Sequence, residues 1–269
     1  MAWWSRLSCP PTTPPVSPPS WLQDLAGAWI FYSVLPAWPG IPPRFERIAR
    51  FAPWIGLVIG GLQALLWALL QGHVPLLAQV CLVLALGLLL TGGLHMDGAM
   101  DTADGLAAGE RLLEAMRDSR VGASGAQALA MLLLLKGGAL ASLEAAAPQA
   151  LVWAALWGRM APLLAMAWFP YLHPRGSAAF HRQHWTGLLR EAGPGLLAVG
   201  GLVWLHLSQG WRPIGLAGAL PALLVPLWLG RRLAGHSGDT YGACVEWTEV
   251  LALAISAMAR MLAPLGPAG

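Results

Sequence analysis

The chain has 269 residues, of which 57% are hydrophobic and only 11% are charged. A soluble domain usually carries about a quarter charged residues, so this composition, with a mean hydropathy of +0.58, predicts an all-α integral membrane protein that crosses the bilayer several times. The net charge of +3 comes from arginines in the loops between apolar runs. These arginines do not form a basic stripe with interleaved aromatic residues, which excludes a nucleic-acid-binding protein. The three cysteines lie far apart in the sequence, which argues against a disulfide framework and a zinc site.

The amino-terminal part of the chain contains two segments that we do not expect to cross the membrane. Residues 1–20 are rich in proline and lack the pattern of a signal peptide, so we predict a disordered extension. Residues 21–36 are apolar but short and end in proline, which predicts a short interfacial or re-entrant helix. The sequence shows no repeat and no shift in composition, so residues 21–269 are predicted to form one membrane-embedded domain.

Seven later stretches approach the roughly 20 apolar residues that a transmembrane helix needs: 51–70, 75–92, 124–146, 149–170, 194–209, 213–230 and 242–265. Nearly all the arginines lie in alternate connections, namely 37–50, 93–123, 171–193 and 231–241. The positive-inside rule then places the amino terminus and these four loops in the cytoplasm, and the carboxy terminus outside.

One cytoplasmic segment, residues 92–125, collects acidic, basic and glycine residues. Asp97, Asp101 and Asp104 are spaced i, i+4 and i+7, so in a helix they project from one face. Three like charges on one stripe repel each other, whereas a hard cation such as Mg²⁺ would neutralise them. The spacing therefore predicts a metal site, with a solvated interfacial helix as the alternative.

The same segment contains glycines at positions that weaken a helix. Gly92, Gly93, Gly98 and Gly105 each cost about 1 kcal/mol relative to alanine in a helix interior. We expect the close approach of a ligand backbone or phosphate to explain them.

Three histidines accompany the charged loops. His95 precedes Asp97 by two residues, and it is interpreted as a general base, a metal ligand, a hydrogen-bonding partner of substrate or simply a polar residue at a helix end. His181 and His184 are spaced i, i+3 in another loop without further ligand residues nearby. This pair of histidines is predicted to be solvated.

Two basic residues follow the acidic segment in the run RDSRVGASG, which contains Arg117, Asp118, Ser119 and Arg120 before an apolar span. A helix that begins there presents free backbone N–H groups to the cytoplasm, which favours an anion. We predict that the run binds phosphate. The alternative is that its arginines only hold this loop on the cytoplasmic side of the membrane.

Further charges lie within or at the edge of predicted spans. Lys136 and Arg159 lie near the middle of their spans, where ionisable groups normally face a cavity or a partner. We expect them to line a polar interior that deepens the site, and a purely structural anchor is the alternative for either residue. Asp239, Glu246 and Glu249 lie at the start of the last span. They are interpreted as a second half of the metal or substrate site, or as an acidic cap on the helix amino end.

The strings GGLHMDGAMDTADGL, RDSRVGASGAQAL and SGDTYGACVEWTE together resemble the cobalamin synthase family, the adenosylcobinamide-GDP ribazoletransferases of bacterial vitamin B12 assembly. The resemblance extends from about residue 31 to the carboxy terminus, and the acidic string is its most specific part. The proline-rich extension and His236-Ser237 before the last motif depart from the pattern without removing a motif carboxylate.

The resemblance implies a Mg²⁺-dependent transferase in the bacterial cytoplasmic (inner) membrane, with its site facing the cytoplasm. Such enzymes join adenosylcobinamide-GDP to α-ribazole or its 5′-phosphate and release GMP. Carried onto this sequence, Asp97, Asp101 and Asp104 would hold Mg²⁺ against the pyrophosphate, and Asp239 would complete the site. His95 or a motif aspartate would take the proton of the attacking hydroxyl. Phosphorylation of the acceptor, the number of metal ions and assembly into a homo-oligomer are left open.

Two other functions remain as alternatives. A CDP-alcohol phosphotransferase also uses an aspartate-rich membrane site, but DGAMDTADG lacks the AR that follows DG in that motif and brings the acids closer together. A corrinoid-binding transporter component would place Lys136 and Arg159 on its pathway, yet no paired broken spans indicate a transport site.

Overall fold

The structure, a computed structural model, describes residues 18–172, 178–210 and 214–262. Most of the predicted disordered extension therefore lies outside the described residues. The described part of the chain is built from helices, with one isolated bridge between Tyr171 and His236 and no strand, which confirms the predicted all-α class. The helices are α1 Ser20–Tyr32, α2 Ala52–Leu70, α3 Leu76–Thr91, α4 Leu94–Ala107, α5 Leu112–Ala115, α6 Ala123–Leu143, α7 Ala147–Trp168, α8 Phe180–Gln183, α9 Leu188–Ser208, α10 Ala219–Leu233 and α11 Gly238–Leu262.

Five helical stretches of the described chain are long and apolar enough to cross a membrane, or six when the bent pair α3 and α4 counts as one span. The longest of them, Ala123–Trp168, has 46 residues and comprises α6 and α7, which are separated by the short 3-10 helix Glu144–Ala146. The protein is therefore a polytopic helical membrane protein. Each of the seven predicted spans contains a helix, while the number of crossings and the orientation stay predictions.

Small residues set the closest helix packing in the core, between α2 and α7. A Cβ atom added at Gly56 would lie 2.4 Å from the carbonyl oxygen of Ala155 and 2.7 Å from Cδ of Arg159. A Cβ atom at Gly60, one turn later on the same face, would lie 2.9 Å from the carbonyl oxygen of Leu151. Glycines at this spacing let two membrane helices approach until their backbones touch. This contact holds Arg159 at a fixed depth beside α2.

The chain turns sharply between α3 and α4 at two glycines. Gly92 and Gly93 have φ values of 60° and 74°, in the left-handed region that other residues avoid, and the two helices are bent by 91°. Because of this bend, α4 runs across the end of the apolar helix α3 and does not continue it. The turn thus sets the acidic helix α4 almost perpendicular to α3.

The helix α4 packs directly against the first turns of α11. A Cβ atom at Gly98 would lie 2.6 Å from the carbonyl oxygen of Asp239, and one at Gly242 would lie 3.3 Å from Cα of Gly98. At Gly105 the space is occupied by Met116, whose Cγ would lie 2.6 Å from such an atom. The expectation that a ligand approaches Gly98 and Gly105 was therefore wrong, because the protein's own backbone and side chains fill the space at these two positions.

Candidate active site

A cavity of about 240 Å³ lies between α1, α4, α7 and the start of α11. It gathers residues that are far apart in the sequence, from the predicted loops 93–123, 171–193 and 231–241. Its polar and charged lining residues include Tyr32, His95, Asp97, Arg159, His181 and Asp239. Four of the predicted site residues, one histidine, two aspartates and one arginine, are therefore brought together in one place.

Two walls of the cavity carry carboxylates. Asp97 lies on α4 and Asp239 in the first turn of α11, and Asp101 lies one helical turn after Asp97 on the same face of α4. Burial, and then the charges of Asp97, Asp239 and Asp104, raise the pKa of Asp101 to about 6. The helical acid face that the spacing predicts is present, and the mutual repulsion of its carboxylates favours a cation.

The residues of this site fit Mg²⁺ by their chemistry. Aspartate oxygens are the donors that this ion prefers, and it is usually bound by one or two carboxylates together with water and substrate phosphate. Within the described ranges, no three His, Cys, Asp or Glu side chains are close enough to form a complete metal-binding cluster. A Mg²⁺ ion at this site would therefore need oxygen ligands from water or substrate phosphate in addition to the aspartates.

Asp104 has a different environment from the other two aspartates of α4. Its carboxylate accepts hydrogen bonds of 2.8 Å from the backbone N–H of Gly122 and of 2.8 Å from the backbone N–H of Gly125, at the start of α6. A carboxylate in this position satisfies donors that the helix leaves unpaired and complements its dipole. The anion at this helix end is therefore Asp104 itself, so these two N–H groups already have an acceptor and are not open to phosphate.

The predicted phosphate-binding run lies away from the cavity. Arg120 forms an ion pair of 2.6 Å with Asp118, and its side chain is 87% exposed. Hydrogen bonds from Arg120 lower the pKa of Asp118 to about 2. Arg117 and Ser119 are also exposed, and none of these four residues is among the described residues that line the cavity. Phosphate binding by this run stays a prediction.

A buried group of charges lies beside the cavity, between α6, α7 and α11. Lys136 Nζ lies 2.6 Å from Glu246 Oε2 and 2.7 Å from Glu249 Oε2, and Glu249 also pairs with Arg159. These side chains line a smaller cavity of about 40 Å³. Arg159 lines both cavities, and no described residue pairs with its buried Nε. Lys136 and Glu246 therefore form an internal ion pair, while Arg159 connects that network to the site.

Sequence reasoning missed three features of this region. The first is the role of Glu249, which was singled out as an acid at the start of a span but was not predicted to bridge Lys136 and Arg159. His181 was predicted to be solvated, and this was wrong because its side chain is only 6% exposed beneath α1. Tyr32 lines the cavity with it, and no charge or spacing in the sequence indicates this role.

These observations define a polytopic α-helical membrane protein whose cavity combines carboxylates, an arginine and histidines. The family model described as cobalamin-5-phosphate synthase matches residues 24–257. The chain therefore belongs to the cobalamin-5-phosphate synthase family, and it is a transferase of cobalamin biosynthesis.

Curated relatives agree with this assignment. A protein of Prochlorococcus marinus (strain MIT 9303) named adenosylcobinamide-GDP ribazoletransferase is 58% identical over 254 residues, which cover 89% of this chain and 97% of the relative. A protein of the same name from Thermosynechococcus vestitus is 44% identical, over 86% of this chain and 94% of the relative. No solved structure matches the chain.

Proposed function

We propose that the chain joins adenosylcobinamide-GDP to α-ribazole, or to its 5′-phosphate, and releases GMP in a reaction that requires Mg²⁺. The reaction follows the name that the relatives carry. The observation that supports it in this chain is the presence of Asp97, Asp239 and Arg159 in the lining of one cavity. Carboxylates for a cation and an arginine for phosphate oxygens are the groups that phosphoryl transfer needs.

The proposed reaction forms a phosphoester bond and breaks a phosphoanhydride bond. The hydroxyl oxygen of the acceptor ribose forms a bond to the phosphorus that carries the corrinoid. The bond between that phosphorus and the oxygen that bridges the two phosphates breaks, and GMP leaves with this oxygen. The proton of the hydroxyl passes to a base of the site, for which Asp97, Asp101 and His95 are the candidates.

Asp97, Asp101 and Asp239 are the residues that we assign to Mg²⁺, and Asp104 supports them by joining α4 to the start of α6. The bound ion would neutralise the charge that accumulates on the phosphate oxygens and on the departing GMP. Arg159, which lines the same cavity from α7, contributes a positive charge and N–H donors. Together these groups would stabilise negative charge at the reacting phosphate.

The site is proposed to face the cytoplasm of a bacterial cell from its cytoplasmic membrane. The loops that supply Asp97, His181 and Asp239 are the arginine-rich connections of the chain, which the positive-inside rule assigns to that side.

The purified protein in detergent or nanodiscs, supplied with adenosylcobinamide-GDP and α-ribazole, tests the proposal by direct detection of GMP. We expect GMP in the presence of Mg²⁺ and none after its removal by a chelator. Absence of GMP with every divalent metal would contradict the transferase function, and equal rates with and without chelator would contradict the metal requirement alone.

A further inference from the structure

One end of the 240 Å³ cavity is formed by three buried rings. Tyr32 is stacked with His95 at a ring-centroid distance of 6.3 Å and with His181 at 6.5 Å, with interplanar angles of 18° and 6°. Phe31 packs edge-on against Tyr32 and His181, and the ring of Phe180 lies tilted against His181 at a centroid distance of 4.0 Å. These rings come from α1, α4 and α8, so the fold builds an aromatic wall from three separate segments.

The two imidazoles of this wall have unused polar atoms. His95 is 4% exposed and His181 is 6% exposed, and in the described part of the chain neither Nδ1 atom has a hydrogen-bond partner. His181 Nε2 lies 3.5 Å from the Tyr32 hydroxyl, the limit of a weak hydrogen bond. Buried polar atoms are nearly always paired, and leaving them unpaired is unfavourable. Both residues line the cavity, so a ligand with polar atoms at its edge is a partner that would satisfy them.

We propose that this wall, Tyr32 with His95 and His181, binds the planar heterocyclic base of a nucleoside substrate. A flat heterocycle has an apolar face for the rings and nitrogen or oxygen atoms at its edge for the two Nδ1 atoms. This inference rests on the proposed function, because it assigns one part of those substrates to one end of the same cavity.

The size and the chemistry of the cavity agree with this assignment. A volume of about 240 Å³ is below the roughly 300–1,000 Å³ of pockets that enclose an entire drug-sized ligand, so it takes a fragment of the substrate. The base would occupy the aromatic end, and the phosphates would reach Asp97, Asp239 and Arg159, which line the rest of the cavity.

Recognition at this wall uses neutral rings. Burial lowers the pKa of His181 to about 3, so its imidazole is uncharged at neutral pH and has one donor and one acceptor nitrogen. A neutral base is a suitable partner for it, whereas a phosphate is not. Both the benzimidazole of α-ribazole and the guanine of the GDP moiety have this chemistry, and the experiment separates them.

The test uses His181, which lies far in sequence from the aspartates assigned to the metal. His181→Phe keeps a ring and removes the hydrogen bond, His181→Asn keeps a nitrogen near the position of Nδ1, and His184→Phe changes an exposed neighbour as a control. The Michaelis constant for each substrate is measured by GMP release. We expect His181→Phe to raise one of the two constants about fivefold to tenfold, the effect of one lost hydrogen bond, with kcat changed less than about twofold. His181→Asn recovers part of the loss, and His184→Phe matches the wild type.

A higher Michaelis constant for α-ribazole in His181→Phe assigns the benzimidazole to the wall. A higher Michaelis constant for adenosylcobinamide-GDP assigns the guanine to it. If both Michaelis constants are unchanged in His181→Phe, the subsite is overturned while the transferase function stands. An equal loss of kcat in His181→Phe and His181→Asn would also overturn the subsite. If the wild type releases no GMP, the proposed function fails and equilibrium binding decides the subsite. Weaker binding of α-ribazole or GMP to His181→Phe then supports it, and unchanged binding of both contradicts it.

Discussion

Gly98 lies directly against the backbone of Asp239, so closely that a Cβ atom at this glycine would be 2.6 Å from the carbonyl oxygen of the aspartate. This contact sets the distance between α4 and α11, the two helices that carry the carboxylate walls of the cavity. The geometry of the site therefore depends on a residue that has no side chain and takes no part in the chemistry.

Gly98→Ala should separate these two helices. The added methyl group has backbone on its other side and cannot be accommodated by a side-chain rotation, so we expect a loss of about 1–3 kcal/mol in unfolding free energy and a large fall in GMP release. Gly138→Ala is the matched control, because nothing lies within 4 Å of a Cβ atom there. It should leave GMP release unchanged and the protein as stable or slightly more stable, since alanine is favoured over glycine in a helix interior. Wild-type activity in Gly98→Ala would show that the helix contact does not position the site.

Asp104→Ala should destabilise the protein more than Asp97→Ala does. Asp104 accepts two backbone hydrogen bonds at the start of α6, and loss of such a cap costs about 0.5–2 kcal/mol. Asp97 is exposed and belongs to a cluster of like charges, so its removal should leave the unfolding temperature unchanged or higher. Thermal unfolding in detergent measures both, and an equal effect of the two substitutions would contradict the capping role.

Lys136→Met should be strongly destabilising because it leaves Glu246 and Glu249 buried with one cation fewer. Loss of one member of a buried ion pair costs about 3–5 kcal/mol. The double variant Lys136→Met, Glu246→Gln removes the unpaired charge and should recover part of this loss. Glu144→Gln serves as control, since its ion pair with Arg260 is at the surface and surface pairs contribute about 0–1 kcal/mol. If the double variant is no more stable than the single one, the network is not the cause.

The stability of the metal-free protein should depend on pH through Asp101. Its pKa is raised from 3.8 to about 6 in the folded protein, so the folded state binds the proton more tightly than the unfolded state. This contribution to stability is therefore present at low pH and is lost as the pH rises through about 6.

Mg²⁺ should oppose this loss, because it binds the ionised carboxylates. We expect saturating Mg²⁺ to raise the unfolding temperature more at about pH 8 than at about pH 5, where protons compete for the same oxygens. In Asp101→Asn the Mg²⁺ effect should be smaller and less dependent on pH. An effect of Mg²⁺ that is the same at both pH values in the wild type would contradict metal binding at this carboxylate.

The parts of the fold that follow from local pattern were predicted from the sequence. Apolar runs gave the positions of the long helices, and the spacing of Asp97 and Asp101 gave the acid face of α4. The placement of Asp239 near them was expected from its glycine-rich, acidic surroundings and from the order of the motifs. The long helices and the acid face of α4 depend on residues close together in sequence, where helical periodicity is enough.

The remaining features depend on contacts between distant segments. Nothing local indicates that His181 is buried under Tyr32, because the burial arises from the packing of α8 against α1. Gly98 has room only for the backbone of α11, and the partners of Asp104 are the first amides of α6. In each case the residue is visible in the sequence, but its contacts are determined by the three-dimensional packing of distant segments.

The most direct test of the proposed site measures GMP release by variants of its two carboxylate walls. Asp97→Asn and Asp239→Asn keep the shape of each side chain and remove its charge, and Glu114→Gln makes the same change at an exposed position on α5. With adenosylcobinamide-GDP, α-ribazole and Mg²⁺, we expect the two cavity variants to lose about 100-fold or more in kcat while they remain folded in the membrane. Glu114→Gln should match the wild type. Wild-type kcat in both Asp97→Asn and Asp239→Asn would contradict the assignment of the reaction to this cavity.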